Sequence, residues 1–151
     1  MNLDDFRRVK QRAEQDTKMP DKIDNIIEKN NNLPGEIQYW QSVYSKQNYI
    51  LVEMNTELNV LESRLFEEIK FGTNPNNRLC KYSWGSTSEI KNQFFQIDQY
   101  TELYKKIKDQ EYYVNYIKGT LDNIKAMSFT IKNYLDYYKI INGWGIYVCE
   151  L

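Results

Sequence analysis

The sequence predicts an all-α protein: two long helices paired as an antiparallel hairpin, with short N-terminal helices in front, assembling into a helical homo-oligomer. Three observations carry that expectation. Between residues 107 and 142 apolar side chains recur in an a/d heptad register, with Ile107, Val114, Leu121, Ser128 and Leu135 at one position and Gln110, Ile117, Ile124, Ile131 and Tyr138 at the other. A second stretch repeats the pattern through Ile37, Trp40, Tyr44, Gln47, Leu51, Met54, Leu58, Leu61 and Leu65. Helix breakers are scarce, with 6 Gly and 3 Pro in 151 residues.

The elements follow in order. Asn2-Leu3-Asp4-Asp5-Phe6 opens a capped helix, with both aspartates in the first turn where the helix dipole favours them. Pro20 suits the start of a second short helix through Ile23, Ile26 and Ile27, ending near Asn30, with Asn30-Asn31-Asn32 as a turn and Pro34 starting the long middle helix. Gly72 stops that helix, and a loop from Gly72 to Gly85 follows. Ser86-x-x-Glu89 is a capping box. The helix it opens runs into the heptads, with a break expected at Asp109–Glu111, where Gln110 falls on the seam, and a stop at Asn142-Gly143. We divide the chain into an N-terminal helical region (1–32), the middle helix and its loop (33–85), a C-terminal long helix for oligomerisation (86–143) and an apolar, strand-like tail (144–151). Two helices cannot cover both stripes and the tyrosines beside them, so a homo-oligomer is expected.

Composition closes several doors. The chain has no histidine, the commonest general base and metal ligand. It has neither a P-loop nor a dinucleotide-binding glycine motif. Cys80 and Cys149 lack metal or redox spacing and read as free thiols. No enzyme, metal or cofactor is expected. No apolar run reaches the length of a membrane span. Lys and Arg total 20 against 21 Asp and Glu, so any nucleic-acid binding must come from local clusters.

Three clusters qualify. Arg7, Arg8, Lys10 and Arg12 form the densest basic group, readable as a solvated helix face or as a phosphate site. The loop mixes Arg78 and Lys81 with Tyr82 and Trp84, cations for phosphates and rings for bases, or Leu79 and Trp84 simply pack back onto the helices. On the C-terminal helix, Lys118, Lys125, Lys132 and Lys139 flank the seam at every seventh residue, about 10 Å apart at 1.5 Å rise per residue. The seam residues proposed for assembly are Ile107, Val114, Ile117, Leu121, Ile124, Ser128, Ile131, Leu135 and Tyr138. Ser128, the one small residue at an a position, marks a close helix approach.

Gly119-Thr120-Leu121-Asp122-Asn123-Ile124-Lys125 and Phe129-Thr130-Ile131-Lys132 spell G-x-L-D-x-I-K-x-x-x-F-x-I-K. This resembles the C-terminal helix of the UvsY-like recombination mediator proteins of tailed phages. Asn2-Leu3-Asp4-Asp5-Phe6 is similar to that family's N-L-E-E-L opening, and the order of helices and loop agrees. The resemblance implies an all-α subunit in a closed homo-oligomeric ring, binding single-stranded DNA without sequence preference in the cytoplasm of an infected bacterial host. It implies two protein partners, a phage single-strand-binding protein coating the strand and a RecA-like phage recombinase loaded onto it, in recombination, repair and replication. Lys125 and Lys132 match the family's I-K positions. The family's basic segment L-K-x-R-L-x-Y-Y-x-G corresponds to Leu61–Gly72 here. Arg64 and Leu65 match, but Glu62 replaces the lysine, the tyrosine pair is absent and two extra residues precede Gly72. DNA contact there reduces to Arg64 and Lys70, with Arg78 and Lys81 taking up the role. The competing reading is a helical oligomerisation scaffold without nucleic-acid affinity, its e-position lysines paired with acids across helix interfaces.

Overall fold

The structure, a computed structural model, describes residues 3–81 and 86–143. Among these it is all-α without a strand: α1 (Leu3–Asp16), α2 (Ile23–Phe71), α3 (Thr87–Asn92) and α4 (Asp98–Ile141), with 3-10 turns at Arg78–Lys81 and Gln93–Gln96. The expected cap at Asn2, the aromatics Tyr82 and Trp84, and the tail 144–151 lie outside the described residues. The described residues fall into two compact units, one within 46–114 and the other made of 3–45 with 115–143.

In the Lys46–Val114 unit the two long helices are antiparallel. Gln47 meets Gln110, Glu62 meets Tyr100 and Arg64 meets Gln99, so numbers rise on one helix as they fall on the other. The core is Leu61, Leu65 and Ile69 of α2, Leu79, Ile90, Phe94 and Tyr100, all at most 5% exposed. Gly72, at φ 65°, ends α2 in the left-handed conformation that glycine adopts without strain. The capping box forms as expected: the Glu89 N–H donates to Ser86 Oγ at 3.2 Å and the Ser86 N–H donates to Glu89 Oε2 at 3.0 Å.

Two expectations in this unit are corrected. The helix opened by Ser86 does not run on into the heptads. It stops after two turns, passes through the 3-10 turn, and breaks at Ile97 (φ −102°, ψ 118°) before α4 starts at Asp98. The break folds Phe94 and Phe95 back onto Tyr100, with ring centroids 5.4 and 5.2 Å away. Nor does α4 break at Asp109–Glu111. Gln110 stays buried because its side-chain amide donates to the Gln47 carbonyl at 3.1 Å and to Gln47 Oε1 at 3.0 Å. A satisfied polar pair is tolerated on an apolar seam.

In the second unit α1 packs on both long helices. Phe6 meets Tyr116 edge-on at 5.6 Å, and Trp40 Nε1 donates to Asp16 Oδ2 at 2.9 Å. The turn expected at Asn30–Asn32 is absent: α2 is continuous and Pro34 lies inside it. The reason is the heptad register itself. Ile26, Leu33 and Trp40, seven residues apart, are 3, 1 and 0% exposed, so burial holds the helix through the asparagines despite the missing Pro34 N–H. Lys29 and Glu36 brace the same turn with a 2.7 Å ion pair.

The C-terminal seam is used within the chain. Ile107, Val114, Ile117, Leu121, Ile124 and Ile131 are each at most 5% exposed, with Ser128, Leu135 and Tyr138 half-buried.

Two expectations for stability follow. Pro34→Ala should stabilise the protein by up to about 3 kcal/mol, because it restores a donor for the Asn30 carbonyl. A lower urea midpoint would contradict a helix continuous through Pro34. Gln110→Ala should cost about 1–3 kcal/mol by stranding the Gln47 amide oxygen. A Gln47→Leu/Gln110→Leu pair should recover most of that loss in the same titration, and equal stability of the single variant and the parent would refute the role given to the pair.

Candidate nucleic-acid interface

The long middle helix and the loop after it bring two of the expected cations together. Arg64 leaves α2 with its Nη2 donating to Gln99 Oε1 at 2.8 Å and its Nε 3.9 Å from Glu68 Oε1. Arg78, on the 3-10 turn, donates from Nη2 to the Gln96 carbonyl at 3.0 Å. Both line one open cavity of about 570 Å³ with Asn74, Asn76, Gln99 and Asp98. Asparagines shape this loop. Asn74 Oδ1 accepts from the Asn76 N–H and Asn77 Oδ1 from the Leu79 N–H, each at 3.1 Å, while Asn77 Nδ2 donates to Glu68 Oε2 at 3.1 Å. Leu79 is buried in the core, which holds the turn that carries Arg78. A guanidinium has five N–H donors, so each arginine keeps donors for an anion after these bonds.

Lys70 and Lys81 stand near the two ends of this loop. The Lys70 ammonium is 5.3 Å from the Phe66 ring and 5.4 Å from the Phe71 ring. Phe71 is 67% exposed, and it lies seven residues, about 10 Å, from Arg64 on the same side of α2. Sequence reasoning passed over Phe71 because it looked for the missing tyrosine pair. Lys81 is the last residue of the 3-10 turn. Glu62, which stands where a lysine was looked for, accepts from the Tyr100 hydroxyl at 3.0 Å. Burial first, then that bond and the charge of Glu62, push the Tyr100 phenol up to about 12.

In the second unit the α1 cations divide. Arg7, Arg8 and Lys10 are exposed, Arg7 with only a loose 3.7 Å approach to Asp4. Arg12 is built into the fold. Its guanidinium carbon lies 3.4 Å from the centre of the Tyr39 ring, and its Nε donates to Asp16 Oδ2 at 3.3 Å. The same carboxylate oxygen accepts from Trp40, while the Lys29 ammonium donates to the Asp16 carbonyl at 2.8 Å and so caps the end of α1. The available signal was Trp40 itself: a tryptophan on a seam needs an acceptor for its N–H. Lys125 and Lys132 are exposed on α4. Like Lys118 and Lys139, they have no acidic partner among the described residues.

In fold the chain is similar to the bacteriophage T4 recombination mediator protein UvsY. One of its crystal structures (lattice type II) superposes with a TM-score of 0.73 at 15% identity, covering 94% of this chain and 98% of that one. Another (lattice type IV) gives 0.70 at 14% identity, covering 93% and 98%. The chain thus has a UvsY-like fold, reached with little shared sequence. No family model and no curated protein sequence matches the chain.

The clamp at Asp16 can be tested directly. Asp16→Ala should cost about 1–3 kcal/mol in urea denaturation, because it strands a fully buried indole N–H, and Asp16→Asn, which keeps an acceptor, should lose less. Equal stability of all three proteins would remove the role assigned to this carboxylate.

Proposed function

We propose that the protein is a recombination mediator. It binds single-stranded DNA without reading sequence, and it promotes loading of a RecA-like phage recombinase onto strands coated by single-strand-binding protein. The observation that carries this reading is the likeness of fold to UvsY, which runs over nearly the whole of both chains. The groove of Arg64 and Arg78, with exposed Phe71 and Lys70 along the same helix, supplies the chemistry: guanidiniums for phosphates and a ring for a base to stack on. Arg7, Arg8 and Lys10 add a second phosphate-binding surface. The protein works as a homo-oligomeric ring in the cytoplasm of the infected host. It hydrolyses nothing; the strand is handed over because bound DNA is held in a state that weakens the coat and favours the recombinase.

The second reading, a helical scaffold without nucleic-acid affinity, draws on the acidic residues of α2. Fluorescence anisotropy with a labelled single-stranded oligonucleotide separates the two. The mediator should bind at low salt and weaken steeply as salt rises. Arg64→Gln/Arg78→Gln should lower the slope of log affinity against log salt by about 1.4, at roughly 0.7 per lost phosphate contact. Phe71→Ala should weaken binding by about 1–3 kcal/mol without changing that slope. Absence of binding at low salt by the parent protein would decide for the scaffold.

A further inference from the structure

The groove that carries Arg64 and Arg78 also holds a fixed carboxylate. Glu68 lies one turn after Arg64 on α2 and lines the same cavity. Its side chain is 15% exposed, so it belongs to the inner wall. Its two oxygens have different duties. Oε2 accepts from Asn77 Nδ2 at 3.1 Å. Asn77 Oδ1 accepts from the Leu79 N–H, and Leu79 is buried in the core. The short stretch that presents Arg78 is therefore tied back to α2 through this carboxylate. Oε1 faces Arg64, 3.9 Å from its Nε.

That second contact does little for the fold. It is too long for a hydrogen bond, and the cation precedes the acid, the weaker order along a helix. Its consequence is for an anion. A guanidinium binds phosphate best through two parallel N–H groups on one edge. The edge of Arg64 formed by Nε and Nη2 is the one that Glu68 and Gln99 face. A phosphate on that edge must approach a carboxylate that Asn77 holds in place. Asp98, the other carboxylate of the lining, is exposed in the first turn of α4, where the helix dipole favours it. We propose that Glu68 is a built-in competitor for the strand. One carboxylate positions the loop of Arg78 and also contests Arg64 with an incoming phosphate, which keeps the hold on a strand loose. The inference rests on the reading of this groove as the strand site.

One substitution separates the two duties. Glu68→Gln keeps an oxygen for Asn77 and removes the charge. By fluorescence anisotropy with a labelled single-stranded oligothymidylate, it should bind about three- to tenfold tighter than the parent at low salt, as expected for a like charge removed from within about 6 Å. The gain should shrink as salt rises, because screening weakens the repulsion it relieves. Glu67→Gln makes the same change of net charge one residue away, at an exposed side chain that lines a different cavity. It should leave the affinity within about twofold of the parent. In an Arg64→Gln background the advantage of Glu68→Gln should fall to that of Glu67→Gln, since nothing is left to contest. Misfolding does not imitate a gain that depends on Arg64. A parent that binds while Glu68→Gln binds no tighter, an equal gain from Glu67→Gln, or an undiminished gain without Arg64 each overturns the inference and leaves strand binding standing. A parent that does not bind at low salt overturns the strand reading and the inference with it.

Discussion

The register of the two long helices turns on a single polar layer. Gln110 is 3% exposed on an otherwise apolar seam, and its amide reaches both oxygens that Gln47 offers. Sliding one helix along the other would set both side chains against Leu or Ile and leave amide groups buried without partners, a penalty large against the stability of a single domain. Nearer the start of α4, Glu62 meets the Tyr100 hydroxyl, and Arg64 meets Gln99 at the mouth of the groove that Arg78 enters from the loop.

How much of this was legible depends on the range of the cause. The α4 heptads predicted burial almost residue by residue, because a periodic stripe has few ways to be satisfied. The capping box at Ser86 and the glycine stop at Gly72 were legible for the same local reason. The misreadings share a pattern. Asn30–Pro34 looks like a turn on propensity, yet Leu33 lies between Ile26 and Trp40 on a seven-residue spacing, and tertiary burial overrides local preference. Gln110 looked like a break because its partner, Gln47, lies 63 residues away. The kink at Ile97 is set by Phe94 and Phe95 closing on Tyr100, a contact that no local pattern specifies.

The cations sort by their partners, which sequence does not display. Arg12 is one of four basic residues within six positions, but only its own helical position sets it over Tyr39 and within reach of Asp16. Planar stacking and a fixed fork are uses of arginine that lysine does not share. Arg64 and Arg78 are held by neutral acceptors, a side-chain amide and a main-chain carbonyl, in a groove whose lining also includes the carboxylates of Glu68 and Asp98. Arg64 also approaches Glu68, but at 3.9 Å and 54% exposed that contact is weak in water, and Glu68 is shared with Asn77.

A chain with formal charge −1 has no long-range field to attract a polyanion, and at physiological salt charges screen one another beyond about 8 Å. Whatever holds a strand must therefore act at contact distance, and a groove with two arginines and an adjacent ring gives only a modest affinity by itself. The physical remedy is repetition. In a ring of identical copies one strand passes several such grooves, and each later contact is intramolecular, so affinity rises by orders of magnitude without any further contact per subunit. Weak sites in series also let a strand go one segment at a time.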